Sequence, residues 1–442
     1  MNIVYLHTHD SGRYLEPYGY GISTPNLMAL AKESTLFRHC YCAGPTCSPS
    51  RAALLTGTWP HVNGMLGLTH RGFGLRDYDM HLARYLTGFG YETVLSGIQH
   101  EAADGNDIGY TRILQDTWGG DMKNDHAAER DRTSAELAAG YLTEKAKQGG
   151  RFFLSVGLLN THRPFPEETD PVRADYAMPP HTMYDCAATR RDMAGYCKSA
   201  AIADECFGIV LDAIRTAGLA DDTIVMFTTD HGIAFPHMKC NLYDTGTGVA
   251  LMIRYPGNPT AGTATDALVS QIDIFPTLCE LCDVPIPEWV DGTSVVQVLS
   301  GRDQTGSDAV FSEVTYHGSY EPARSIRTER YKLIRRFDFH LGVVPCNIDN
   351  GPSKRFLLDS GLMKQTVARE ILIDLHLDPM ERENRVGDSG YLDIYNDLSA
   401  RLSAWMEQTG DPLVQVTHRV PLPDGARINR LESIHAENPE YE

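Results

Sequence analysis

A chain of 442 residues is long enough for one large core and a smaller appended one, because a single core stops growing near this size. Its 42% hydrophobic and 22% charged residues exclude a disordered chain. A formal net charge of −19 excludes a nucleic-acid partner, which needs a basic face, and disfavours long polyanions, leaving a short substrate.

Asn2 to Leu6 reads as a strand that begins directly after Met1, leaving no basic, apolar and small-residue leader pattern. No run approaches the roughly 20 apolar residues of a membrane span. The expected location is therefore cytoplasmic, with no membrane partner. A helix is predicted from Asn26 to Lys32, then apolar β-rich runs from Thr93 to Ser96, Phe152 to Val156, Ile224 to Thr228 and Val249 to Ile253. Alternation of such runs with helical patterns implies crossovers and a mainly parallel, buried sheet sandwiched by helices. The helix from Arg191 to Thr216 is one crossover, with Gly218 as its stop signal.

After about Pro285 the pattern changes to short strands, Ala309 to Val314, Ala323 to Thr328 and Tyr331 to Arg335, followed by a helix from Ile394 to Gln408. The fold class is thus α/β, with a smaller C-terminal antiparallel sheet and a packing helix. Residues 1–305 are expected to form the larger part, and 306–442 the smaller α+β part with a surface tail. The stretch from His340 to Arg369 has weak pattern, and a loop of that length is more often functional than idle. Ten scattered cysteines suit reduced thiols, and Cys279 and Cys282, although spaced C-x-x-C, lack a second pair and read as core.

The chemistry concentrates in Cys47-Ser48-Pro49-Ser50-Arg51, followed by Leu54-Leu55-Thr56-Gly57. Pro49 suits a first helical turn, Ser48 a cap, and Cys47 then sits just before an N-terminus that favours an anion. On physical grounds alone Cys47 is a low-pKa thiolate nucleophile.

The string C-x-P-S-R with L-L-T-G resembles the signature of type I sulfatases, in the alkaline phosphatase superfamily, whose cysteine is oxidised to formylglycine by a maturase. That resemblance implies an alkaline phosphatase-like fold and a bound divalent cation, calcium first, with manganese, zinc or magnesium as the other ions. His9-Asp10, ending the first strand, resembles the family's metal-binding aspartate pair, with His9 in place of the first. His9 is either a ligand or a core histidine. Asp230-His231 resembles the second metal-binding strand end, and Cys47 itself completes the ligand set. Lys239 stands where the family places a cation against sulfate, His162 where it places a histidine near the leaving-group oxygen, and His100 where it has the histidine of G-K-x-H.

By that resemblance, hydrated formylglycine attacks sulfur, Arg51 holds the diol, Lys239 the sulfate oxygens, His162 protonates the leaving group, and His100 accepts a proton as sulfate is eliminated. Ile98 replaces the lysine of G-K-x-H, so a substitute donor is expected from His61, His70 or Arg71. Glu313-Val314-Thr315, the segment around Arg324 and Trp405 to Pro412 are similar to sulfamidase-like members, which adds Glu313 and Arg324 as substrate-binding candidates and implies a small, sugar-like sulfated substrate. The alternatives are a phosphonate monoester or phosphodiester hydrolase on the same scaffold, and a non-catalytic sulfated-ligand binder.

Overall fold

A computed structural model of the protein describes residues 1–117, 126–168, 170–338, 340–415, 419–436 and 440–441. Its centre is an eight-stranded sheet in the order Thr263–Thr265, Thr35–Phe37, Leu251–Arg254, Thr223–Thr229, Asn2–Thr8, Phe152–Gly157, Glu92–Gly97 and Arg112–Asp116. All neighbours pair in parallel except Leu251–Arg254, which runs antiparallel to both of its partners. The expected mainly parallel sheet is present, with that one reversal.

Asn2–Thr8 is buried along its whole length. Strand alternation sends Val4 and Leu6 to one face and Ile3 and Tyr5 to the other, which is why the segment reads as an unbroken apolar run. On the first face the helices Ala127–Gln148 and Ala187–Thr216 cover the sheet with Ala138, Leu142, Phe207 and Val210. Leu54 and Leu55 of the helix Cys47–Thr56, Leu86 and Leu278 cover the second. Each fully buried leucine or isoleucine contributes about 1.5–3 kcal/mol of transfer free energy. Cys279 and Cys282 lie in this second layer, as core residues.

The second sheet is fully antiparallel, in the order Val310–Tyr316, Tyr320–Arg327, Tyr331–Arg336 and Glu370–Asp374. Its fourth strand lies beyond the weakly patterned stretch, too far in sequence to be paired by a hairpin signal. The helix Leu392–Gln408 packs on it through Leu398, Leu402, Trp405 and Met406. Trp405 stacks on Phe311 at 4.8 Å and meets Trp59 edge-on at 5.2 Å, so the C-terminal sheet is bolted to the segment just past Cys47–Thr56. Gly57 makes that exit: at φ 68° it ends the helix in the left-handed region, and a Cβ there would meet Phe275 and Val290 at 3.0 Å. Parts of the tail lie outside the described residues; the rest runs over the surface past Arg71, which holds Asn429.

A buried charge network locks the same junction. Arg324 Nε lies 2.5 Å from Asp411 Oδ2 and 3.2 Å from Glu313 Oε2, and Glu313 in turn takes the His61 ring at 2.6 Å and the His61 backbone N–H at 2.7 Å. Arg324 is completely buried, so its removal leaves two carboxylates facing each other without water. Arg324→Ala is expected to destabilise the protein by about 3–5 kcal/mol, read as a large drop in the thermal unfolding midpoint, whereas the surface change Arg401→Ala, beside an exposed Asp308, should move it little.

Candidate active site

The carboxyl ends of the two central parallel strands carry the expected residues, as ligands commonly are placed in such sheets. Asp10 follows Asn2–Thr8 with φ 49°, and Asp230 follows Thr223–Thr229. The Asp10 and His231 backbone N–H groups both donate to Asp230 Oδ1, at 2.8 and 2.9 Å. Asp230 Oδ2 takes Arg51 at 3.0 Å. Burial opposes its charge, but His231 and Arg51 overcome this and hold its carboxyl below the usual range.

The helix Cys47–Thr56 begins two residues earlier than expected, with Thr46 preceding it, so Cys47 is its first residue and Ser48 is no cap. Ser48 instead accepts a hydrogen bond from the Thr69 backbone. Cys47 Sγ lies 3.3 Å from His231 Nε2 and 3.9 Å from Asp10 Oδ1. Complete burial pushes the thiol well up, with Lys239 opposing. This direction runs against the low-pKa expectation: loss of hydration and the facing Asp10 and Asp230 carboxylates oppose the charged form.

Arg51 ties the scaffold together through its two terminal nitrogens, while its buried Nε has no hydrogen-bond partner. Its guanidinium donates to the Thr8 carbonyl at 2.7 Å and meets His7 Nδ1 at 2.6 Å besides Asp230, joining both strand ends to the cysteine helix. The preceding residue, Ser50, shares its Oγ–H between the Asp230 carbonyl at 2.5 Å and Gln271 Oε1 at 3.0 Å. Gln271 donates onward to the Thr229 carbonyl.

Lys239, 3% exposed, reaches Asp10 Oδ2 at 2.9 Å and Asp349 Oδ2 at 3.0 Å. Burial works against its charge, but Asp10 and Asp349 hold its pKa well above the ordinary value. His162 stands 4.0 Å from Asp10 on a loop tied down by Asp131, which accepts the Leu159 and Asn160 backbone N–H groups, and by Thr161, which donates to the His9 carbonyl. His100 lies 5.9 Å ring to ring from His9, and its Nε2 is 3.3 Å from His70 Nδ1. Ile98 is completely buried against Ala127 and Leu159, in an apolar setting that would not hold a lysine ammonium. Of the three expected substitutes, the structure brings only His70, the exposed member, to this histidine group.

The other substrate-binding candidates are elsewhere. His61, Glu313 and Arg324 are closed into their own network, and Arg71 donates to the Gly318 and Ala436 carbonyls and to Asn429. Charged side chains so buried find most of their partners within the protein, although His61 Nε2 and Arg71 Nε are left without one. Two residues at the site went unnamed in sequence: Asp349, and His317, whose Nδ1 lies 2.5 Å from Thr46 Oγ1. Asp349 sits in the weakly patterned stretch, where length was the only signal.

His9, Asp10, Cys47 and Asp230 place one ligand atom each within 4.8 Å of one another. These residues fit a divalent cation on two observations. Both His9 ring nitrogens are buried without a hydrogen bond, Nδ1 lying 3.3 Å from Asp230 Oδ2. His231 Nδ1 faces the Gly232 carbonyl at 2.9 Å, which places its proton there and turns the Nε2 lone pair towards Asp10 Oδ1 at 3.2 Å. Burial, then Arg51, pushes His9 well below its ordinary pKa, so the imidazole is neutral and can coordinate.

The sulfatase family signature matches residues 1–284, and a second, for the C-terminal part of N-sulphoglucosamine sulphohydrolases, matches residues 234–341. The chain is 28% identical to human N-sulphoglucosamine sulphohydrolase over 96% of this chain and 91% of that protein. It is also 28% identical to an ulvan-active sulfatase of Formosa agariphila, over 98% and 85%. A solved structure in complex with its substrate D-glucosamine-2-N,6-O-disulfate has TM-score 0.72 at 19% identity, covering 94% of this chain and 99% of that one, a likeness of fold.

Asp10→Ala and Asp230→Ala are each expected to weaken metal binding by more than the about 10–100-fold that loss of an outer partner costs, measured as metal content by elemental analysis after dialysis. His9→Ala should lose metal as well; an undiminished metal content would place His9 outside the coordination shell.

Proposed function

This chain belongs to the sulfatase family, whose members hydrolyse sulfate esters or N-sulfates with a metal ion and a formylglycine, and we propose that its substrate is a small sulfated sugar, an N-sulfated amino sugar first. The observation that carries this reading is the convergence of Cys47, at the start of a helix, with Asp10, Asp230 and His231 at the strand ends and Lys239 from the loop beyond. The names of the relatives, N-sulphoglucosamine sulphohydrolase and ulvan-active sulfatase, support a saccharide.

Asp10, Asp230, His231 and His9 would hold the cation, which polarises the sulfuryl oxygens when bound. Imidazole donors favour manganese or zinc over calcium, so the side chains present shift the preference from the hard ion expected first. Cys47, once oxidised by a formylglycine-generating maturase, supplies the nucleophile. Lys239 neutralises charge on the sulfuryl group, and its burial makes that interaction stronger than it would be in water.

His162 Nδ1 lies 2.6 Å from the Arg163 carbonyl and donates to it, so Nε2, on the Asp10 side, is the nitrogen that exchanges a proton with the departing group. His100, beside His9, is placed to take a proton on return to the starting state, and His70 orients it from behind. Arg51 fixes Asp230 through its terminal nitrogens, and its buried Nε–H, without a protein partner, is the donor left for the diol-holding role.

The buried apolar Ile98 favours a second reading, a phosphonate monoester or phosphodiester hydrolase, since the family's lysine is missing there. Parallel kinetics on N-sulfoglucosamine, an aryl sulfate and a phosphonate monoester separate the two: kcat/KM should be highest for N-sulfoglucosamine, and a phosphonate preference would overturn the sulfated-sugar assignment. Cys47→Ala should remove turnover while keeping the unfolding midpoint, since it deletes one side chain at a helix start. His70→Ala should lower kcat by less than the roughly 100-fold that a general acid–base group itself contributes at the weak end, since His70 only positions His100.

A further inference from the structure

Asp10, Lys239 and Asp349 form a row of three charges that is unevenly enclosed. The Asp10 side chain is fully buried and Lys239 retains 3% of its surface, whereas Asp349 retains 12% and His162, beside the same row, 20%. Asp349 and His162 therefore make the open side of the cluster, the side a leaving group occupies when the sulfuryl group lies against Lys239.

The segment around Asp349 is irregular but pinned on both sides. Asn347 accepts the Ser319 backbone N–H at 2.8 Å and donates to Glu321 at 2.7 Å. On the other flank, buried Lys354 donates to the Ile348 carbonyl at 2.6 Å and to Asn350 Oδ1 at 3.0 Å. A carboxylate fixed this way repels a sulfate oxygen and accepts hydrogen bonds, so its chemistry suits the sugar and not the sulfate.

We propose that Asp349 is a specificity residue, which accepts a hydrogen bond from a hydroxyl or amine hydrogen on the ring that carries the sulfate, so that hydroxylated rings are selected over bare ones. This rests on the sulfated-sugar reading above. Asp349 also partners Lys239 and repels sulfate, so loss of its charge shifts the affinity for every sulfated ligand in the same direction, and the ratio between ligands is the informative quantity.

Binding to Cys47→Ala protein, measured by calorimetry without turnover, tests this with N-sulfoglucosamine and cyclohexyl sulfamate, the same sulfamate on a ring without hydroxyls. The sugar should bind at least about tenfold more tightly, the value of one hydrogen bond to a charged group, and adding Asp349→Asn should erase most of that ratio. An equal change in affinity for both ligands, or no sugar preference before the change, overturns the proposal. Unfolding midpoints establish that the variant folds, and Asp349→Ser is read in the same way should Asp349→Asn fail to. Failure of the sulfatase reading is separately visible, as absence of sulfate release from either compound by unmutated protein.

Discussion

A single buried carboxylate organises the centre of this protein. Asp230 is out of contact with water, and an ionised group in that position costs several kcal/mol unless each oxygen is satisfied. Its donors come from different elements: the Asp10 N–H from the neighbouring strand end, the His231 N–H from the turn that follows, and the Arg51 guanidinium from the cysteine helix. Satisfying one charge therefore sets the relation of two strands and a helix, and with it the approach of Cys47 to Asp10 and His231. The Ser50 and Gln271 bonds to the same strand end repeat the constraint through neutral groups.

The same physics explains how a strongly acidic chain prepares a place for an anion. Lys239 and Arg51 are drawn into the interior by the carboxylates that partner them, so positive charge sits beside Cys47 although the overall charge is −19. The C-terminal sheet participates in this. It is bolted down by Trp405 and the Arg324 network, and the chain that leaves it carries Asp349 back to Lys239. The junction that stabilises the four-stranded sheet thus also brings Asp349 to the cysteine site.

Much of this was legible in the sequence for identifiable reasons. Strands buried on both faces, such as Asn2–Thr8 and Thr223–Thr229, give unbroken apolar runs, and their polar ends mark the ligand positions directly. The C-x-P-S-R string gave the helix and its nucleophile. Short strands such as Thr35–Phe37 and Thr263–Thr265 carry too few residues to show a period, and the reversed direction of Leu251–Arg254 depends on pairing, which local pattern does not encode. Glu313 and Arg324 were legible as important but not as structural, because a buried ion pair and a substrate contact use the same residue types. Asp349 was invisible, since its position depends on Asn347 and Lys354 holding an irregular segment against distant partners.

The account centres on Cys47 as the precursor of the nucleophile, assembled beside two carboxylates and two histidines. Peptide mass spectrometry of the segment containing Cys47, taken from protein whose sulfate release has been measured in the same sample, tests this most directly. The account predicts that activity scales with the fraction of Cys47 in which an aldehyde oxygen has replaced the thiol. Full turnover by protein whose Cys47 is entirely an unmodified thiol would contradict it.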